Sequence, residues 1–186
     1  MEELLQLDQD VFLYLNNLGT STWDWFWVFI THKFAAIPLY AFLLFLLIKN
    51  YGWKAVIVTV VLIAGLITCT DQLANVFKDY FERPRPCKED FMQQGRFLMD
   101  YCGSYGYFSA HAASSTALAI YLGSILKHWY KYALFGMFFW AMIVSYSRIY
   151  VGKHYPGDVL TGIIIGAFLG FVFYKLQQFL LKKYMA

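Results

Sequence analysis

Five near-uninterrupted apolar runs constrain this chain more than any other feature. They cover Phe34–Ile48, Ala55–Thr70, Ala112–Leu126, Tyr132–Tyr146 and Val159–Tyr174, each 15 or 16 residues long. A helix needs about 20 apolar residues to cross the bilayer hydrocarbon. The flanks supply the difference, since the second run extends to Phe77 and the third back to Ser109. One such run also fits a buried helix in a soluble protein, but five within 186 residues do not. Hydrophobic residues make up 60% of the chain and charged ones 15%, with 18 Phe, 15 Tyr and 6 Trp. A soluble globule of this size has no interior for so much apolar surface, and the composition also excludes a disordered, collagenous or disulfide-dense secreted chain. The expected fold is all-α, a polytopic membrane helix bundle with five core transmembrane helices. Ahead of them, Val11–Leu18 and Thr22–Ile30 are shorter and interrupted by Asn16, Asn17, Gly19 and Asp24. With Trp23, Trp25 and Trp27 they read as an N-terminal interfacial segment or a sixth helix. The length fits one domain over 1–186, with 1–33 as the N-terminal interfacial segment and 71–174 as the core that carries the chemistry.

Charge orients the bundle. If five spans alternate, the Ile48–Lys54 loop, the Lys127–Lys131 loop and the C-terminal tail share one side. They hold Lys49, Lys54, Lys127, Lys131, Lys175, Lys182 and Lys183, and none of the chain's 12 acids. The positive-inside rule assigns that side to the cytoplasm, with Trp53 and Trp129 in its aromatic belt. The long loop Lys78–Phe108 and the short loop Ser147–Asp158 then face outward together. The acidic stretch Met1–Asp10 lacks the basic region of a signal peptide, so insertion is expected to rely on the spans themselves. A net charge of +3 is too small to imply nucleic acid. Gly162, Gly166 and Gly170 stripe the last span, which reads as close helix packing.

The polar residues that remain fall into three blocks. Lys78-Asp79-Tyr80-Phe81-Glu82-Arg83-Pro84-Arg85-Pro86 ends the second span, Phe108-Ser109-Ala110-His111 opens the third, and Ser147-Arg148, His154 and Asp158 join the fourth to the fifth. Lys78, Arg85 and Arg148 suit a dense anion, Arg through its planar fork and Lys as a point charge. His111 falls in a first helical turn, where free N–H groups attract anions. His154 precedes Pro156, a residue favoured at a first helical position, so Asp158 falls in the next first turn. A carboxylate there can take the proton on one imidazole nitrogen and leave the other free to attack. The second histidine can protonate a departing oxygen. This set is what phosphoryl transfer requires. Taken singly, each residue has a duller reading. Lys78, Arg83, Arg85 and Lys88 could be snorkelling cations, and Asp158 a helix cap. A zinc site finds only two of four histidines in the cluster and no thiolate pair at metal spacing.

Together the blocks resemble the three-part signature of the type 2 phosphatidic acid phosphatases, or lipid phosphate phosphatases. That pattern runs Lys, six residues, Arg-Pro; then Pro-Ser-Gly-His; then Ser-Arg, five residues, His, three residues, Asp. Lys78 with Arg85-Pro86 matches the first part, and Ser147-Arg148, His154 and Asp158 match the third, spacing included. The middle part departs, with Phe108 for Pro and Ala110 for Gly, while Ser109 and His111 are kept. The resemblance implies that His154 is the nucleophile, forming a phosphohistidine, that Asp158 orients it and that His111 is the general acid. Lys78, Arg85, Ser109 and Arg148 would hold the phosphate oxygens, with no metal or other cofactor. Soluble vanadium haloperoxidases share this anion cradle, but the spans argue against that branch.

The implied activity is hydrolysis of the phosphate or diphosphate head of a membrane lipid. Undecaprenyl diphosphate or a phospholipid phosphate is the first expectation, with a lipid A phosphatase or a lipid phosphotransferase as the alternative. A non-enzymatic lipid-binding or transport protein is the reading from a different class, and the intact His154–Asp158 pair argues against it. The implied location is a bacterial cytoplasmic (inner) membrane with the site on its extracytoplasmic side. Asp71 lies two helical turns before Lys78, and an intramembrane carboxylate is expected to face the protein interior and support the site. Cys69, in the same span, reads as a buried packing residue. Cys87 and Cys102 bracket the outward loop and are expected to form a disulfide outside the reducing cytoplasm.

Overall fold

A computed structural model describes residues 2–32 and 34–184. Among these residues the chain forms seven α-helices and no strand beyond an isolated bridge between Pro84 and Tyr105. The helices are α1 Glu2–Asn17, α2 Asp24–Thr31, α3 Ile37–Tyr51, α4 Trp53–Phe81, α5 Ala110–Leu126, α6 Ala133–Tyr150 and α7 Pro156–Tyr184. The fold is an all-α membrane bundle. Three helices, α4, α6 and α7, are long and apolar enough to cross a membrane, and α3 and α5 are shorter apolar helices. In the N-terminal segment neither α2, with 8 residues, nor α1, with 16 residues of which half are polar, is among the helices long and apolar enough to cross a membrane. At 1.5 Å per residue they reach about 12 and 24 Å, short of the roughly 30 Å of hydrocarbon. Helix α1 buries Phe12 and Asn16 against the bundle and leaves Leu4, Leu7, Val11 and Tyr14 on its outer side, the pattern of a helix lying in the interface.

Helix α5 is the axis of the bundle, and small residues make that position tenable. Ala112, Ala113, Ala117 and Ala119 are wholly buried, so neighbouring backbones come close. The closest neighbour is α7. A Cβ placed on Gly162 would sit 2.6 Å from the Ser109 carbonyl oxygen, and one on Gly166 would strike the Ala113 carbonyl. The glycine stripe therefore joins the helix that carries His111 in its first turn to the helix that carries Asp158. Deeper in the bundle, Tyr121 of α5 donates to Gln177 of α7, which donates to Thr59 of α4 at 3.0 Å. Cys69 is exposed rather than buried. It lies on an outer face of α4, where sequence hydropathy cannot tell lipid-facing from protein-facing positions.

The site-bearing ends have local causes. Ser109 caps α5, its hydroxyl accepting the Ala112 N–H, and Pro156 opens α7 with its fixed φ. Glu82 ends α4 in the left-handed conformation (φ 45°), with Arg83-Pro84 following. Gly152 (φ 82°) turns the chain out of α6, and a Cβ there would lie 2.6 Å from the Arg96 carbonyl oxygen. The long loop from Glu82 to Ser109 is held by the Cys87–Cys102 disulfide, with Cα atoms 6.0 Å apart. It is held again by Asn16 of α1, which accepts the Arg96 N–H at 2.6 Å and donates to the Tyr150 carbonyl at 2.9 Å.

Candidate active site

At the end of the bundle where α4 and α6 finish and α5 and α7 begin, a cavity of about 370 Å³ opens. Its wall includes Lys78, Arg85, Arg148 and Lys153, both His111 and His154, and also Asp71, Asn75 and Tyr101. Four cations thus face one acid, a field suited to a multiply charged anion.

His154 lies on the loop between α6 and α7 and is 3% exposed. Its Nδ1 is 3.3 Å from Asp158 Oδ2, and its Nε2 is 3.3 Å from Arg85 Nη1. A carboxylate at Nδ1 keeps the proton there, which leaves the Nε2 lone pair turned toward the cavity. Burial first, then the charges of Arg148, Arg85, Lys78 and Lys153, hold the imidazole well below the ordinary histidine value. At neutral pH it is uncharged, the form that can attack phosphorus. Asp158 is fully buried. Its Oδ2 also accepts the Tyr155 N–H at 3.1 Å, and its Oδ1 faces Arg83 Nη1 at 3.0 Å. Gly106 leaves room for this carboxylate, since a Cβ there would come within 3.1 Å of Asp158 Oδ2.

The cations are held from several directions. Arg85 Nε donates to the Tyr105 carbonyl at 3.0 Å, so the segment just after the disulfide aims the guanidinium. Arg148, 5% exposed, donates through Nη1 to the Thr31 hydroxyl at the end of α2, while its buried Nε has no protein partner. An unpaired buried guanidinium N–H at an anion cavity is a donor in waiting. Lys153 is pulled below the ordinary lysine range by burial and by Arg148 and Arg85.

The structure brings His111, His154, Lys78, Arg85 and Arg148 to one cavity, with Asp158 directly behind His154. It does not bring Ser109 to the wall, because that buried hydroxyl caps α5. Asp71 is exposed and turns to the site, lining both this cavity and a neighbouring one. Lys153, Thr31, Asp8 and the partnership of Arg83 with Asp158 were missing from the motif reading. The repeat of Arg-Pro at Arg83-Pro84 and Arg85-Pro86 was the available signal for Arg83. Among the described residues no group of three or more His, Cys, Asp or Glu is placed to hold a metal ion.

The neighbouring cavity, about 450 Å³, runs inward from His111 and Asp71 between Ile30, Tyr40, Ile67, Leu118, Trp140 and Val144. The polar chamber thus shares His111 and Asp71 with a largely apolar one, an arrangement for an amphiphile with a charged head.

Known proteins share this sequence and fold. The PAP2 superfamily model matches residues 53–182. The chain is 37% identical over 183 residues to a lipid A 4'-phosphatase of Bacteroides thetaiotaomicron, covering 94% of this chain and 78% of that protein. It is 28% identical to a lipid A 4'-phosphatase of Porphyromonas gingivalis, covering 100% and 79% of the two chains. The crystal structure of a transmembrane PAP2 type phosphatidylglycerolphosphate phosphatase from Bacillus subtilis superposes with a TM-score of 0.76 at 19% identity, covering 96% and 88%.

Proposed function

The chain belongs to the PAP2 superfamily, and on that premise we propose that it removes a phosphate from lipid A through a phosphohistidine on His154. That it is a multi-pass membrane lipid phosphatase, a hydrolase acting on lipid phosphate or diphosphate heads, follows from the family. The choice of lipid A over undecaprenyl diphosphate or a phospholipid phosphate rests on the 37% identity to a lipid A 4'-phosphatase across 94% of the chain. This favours the alternative of the sequence reading over its first expectation. The apolar chamber behind His111 supports a substrate whose acyl chains stay among the helices while its phosphate reaches the cations.

In the proposed reaction Lys78, Arg85 and Arg148 take the non-bridging oxygens, with Lys153 a fourth cation at the rim. His154 Nε2 attacks phosphorus in line with the sugar oxygen. The N–P bond forms as the P–O bond to the lipid breaks, and His111, protonated once the substrate phosphate offsets the surrounding cations, gives its proton to the departing oxygen. The Nδ1–H held by Asp158 spreads the charge that develops on the ring. Water, deprotonated by His111, then attacks the phosphohistidine and releases inorganic phosphate. The fork of Arg148 matches the charge that grows on the equatorial oxygens. The whole chain works as one unit, since α2 supplies Thr31 to the site. The lysine-rich end belongs to the cytoplasm and the site to the outer face of a bacterial inner membrane, by the charge pattern above.

A phosphate-release panel on the purified protein tests this reading, using lipid A bisphosphate, undecaprenyl diphosphate, phosphatidylglycerol phosphate and phosphatidic acid. Lipid A should show the highest kcat/KM, with the product one phosphate lighter. His154→Ala should release no phosphate. Lipid A left intact while another lipid is hydrolysed would overturn the substrate.

A further inference from the structure

Helix α1 lies outside the three-part motif, yet its Asp8 reaches the catalytic pair. Asp8 Oδ2 is 2.7 Å from Arg83 Nη2, and Asp8 Oδ1 accepts the Gly157 N–H at 2.7 Å. Arg83 turns its other arm, Nη1, to Asp158 Oδ1 at 3.0 Å. Its guanidinium lies over the Tyr155 ring, 4.0 Å from the centroid. Asp158 Oδ2 completes the series at His154 Nδ1. One connected chain of charge thus runs from the N-terminal helix to the imidazole.

We infer that Asp8 and Arg83 are positioning residues for the His154–Asp158 pair, which makes the N-terminal helix a working part of the catalytic centre. The inference rests on the reading of His154 as nucleophile. A wholly buried carboxylate is costly unless its oxygens are met by donors, and Arg83 is the donor at Oδ1. If that donor left, Asp158 would turn or take a proton, and a protonated carboxyl no longer fixes the imidazole tautomer. Asp8 prevents this in two ways. It occupies the second arm of the Arg83 fork, so the guanidinium cannot swing, and it accepts a free N–H in the first turn of α7, the helix that carries Asp158. The geometry needs a fork that bonds two carboxylates at once, which Arg offers and Lys does not. Solvent screens the pair weakly, because Arg83 and Asp8 expose only 18% and 16% of their side chains.

The charged and titratable groups around Asp158 are His154 and Tyr155 of the loop before α7, Arg83 and Arg85 of the loop after α4, and, beyond Arg83, Asp8 of α1. Removing the charge of Arg83 makes ionisation of Asp158 harder, so activity should fail at a higher pH.

The test uses the full-length protein and the lipid of the panel it turns over fastest. Four quantities are read together: kcat, KM, the melting temperature and the pH profile of kcat/KM. Asp8→Asn should lower kcat by about tenfold with KM and melting nearly unchanged. In an Arg83→Gln background the same change should cost less than about twofold more, because the two residues act through one contact. Arg83→Gln should shift the acid limb upward, whereas Arg83→Lys should leave it in place while kcat still falls. An Asp8→Asn enzyme with wild-type kcat, losses that simply add, or a kcat loss matched by loss of folded protein would each overturn the inference. His154→Ala is run beside them. A dead His154→Ala with an unimpaired Asp8→Asn sinks the inference alone, whereas an active His154→Ala sinks the nucleophile reading and the inference with it.

Discussion

His154 owes its chemistry to neighbours rather than to its own ring. A buried neutral imidazole with a carboxylate on Nδ1 and cations beyond Nε2 can attack an incoming phosphate and need not first lose a proton. Asp158→Asn keeps the shape but can present an N–H to Nδ1 and so reverse the tautomer. It should lower kcat by about a thousandfold or more, with a much smaller change in KM, as steady-state kinetics will show. Burial and the surrounding cations also leave a mark on stability. The folded histidine binds its proton only well below the ordinary value, so between that value and about pH 6.5 the unfolded chain takes up a proton the folded one refuses. Stability is therefore complete above about pH 6.5 and falls as pH drops through that window. Melting curves from pH 7.5 to 5 should show this decline, and His154→Gln should remove part of it. At this scale Lys78, Arg85, Arg148, His111, His154 and Asp158 were legible because their types suit phosphoryl chemistry and their spacing resembles the family signature. Asp8 and Thr31 were not, because the residues they act on lie more than 70 positions away along the chain.

The elements hold these side chains in register through two devices. The first is the glycine stripe of α7, which presses on the backbone of α5 and so sets the spacing between the His111 and Asp158 helices. Gly166→Leu must push the helices apart and should destabilise the fold by about 3 kcal/mol or more. A melting measurement should show the loss, and activity should fall with it even where the folded protein is recovered. The second device is the Cys87–Cys102 bridge, whose sequence separation is 15. For such a loop the chain-entropy estimate is about 3 kcal/mol. Cys87→Ser with Cys102→Ser should lower the melting temperature, and kcat should fall more than KM rises, since this loop aims Arg83 and Arg85. The apolar runs announced α3 to α7 plainly. They could not show that α4 and α7 continue far beyond their apolar windows, nor that Cys69 faces outward, because a membrane helix is apolar on every side.

The whole molecule separates its tasks along the bundle. The apolar helices form the body of the bundle, and one end brings three blocks of sequence and the N-terminal helices around one cation-lined cavity. The N-terminal segment is where the sequence was least informative. Its broken hydrophobicity read as either an interfacial stretch or a sixth span, and only the packed structure shows α1 and α2 gripping the site with Asp8, Asn16 and Thr31. The three-part motif was legible because spacing along helices maps directly onto a common end of the bundle. The central claim, a phosphoryl group passed first to His154 and then to water, has a stereochemical signature. Each in-line displacement inverts phosphorus, so two in succession restore the original configuration. The decisive measurement is hydrolysis, in isotopically labelled water, of a lipid phosphate made chiral at phosphorus with sulfur and oxygen isotopes. Retention in the released thiophosphate is the expected result, and inversion, the outcome of direct attack by water, would contradict it.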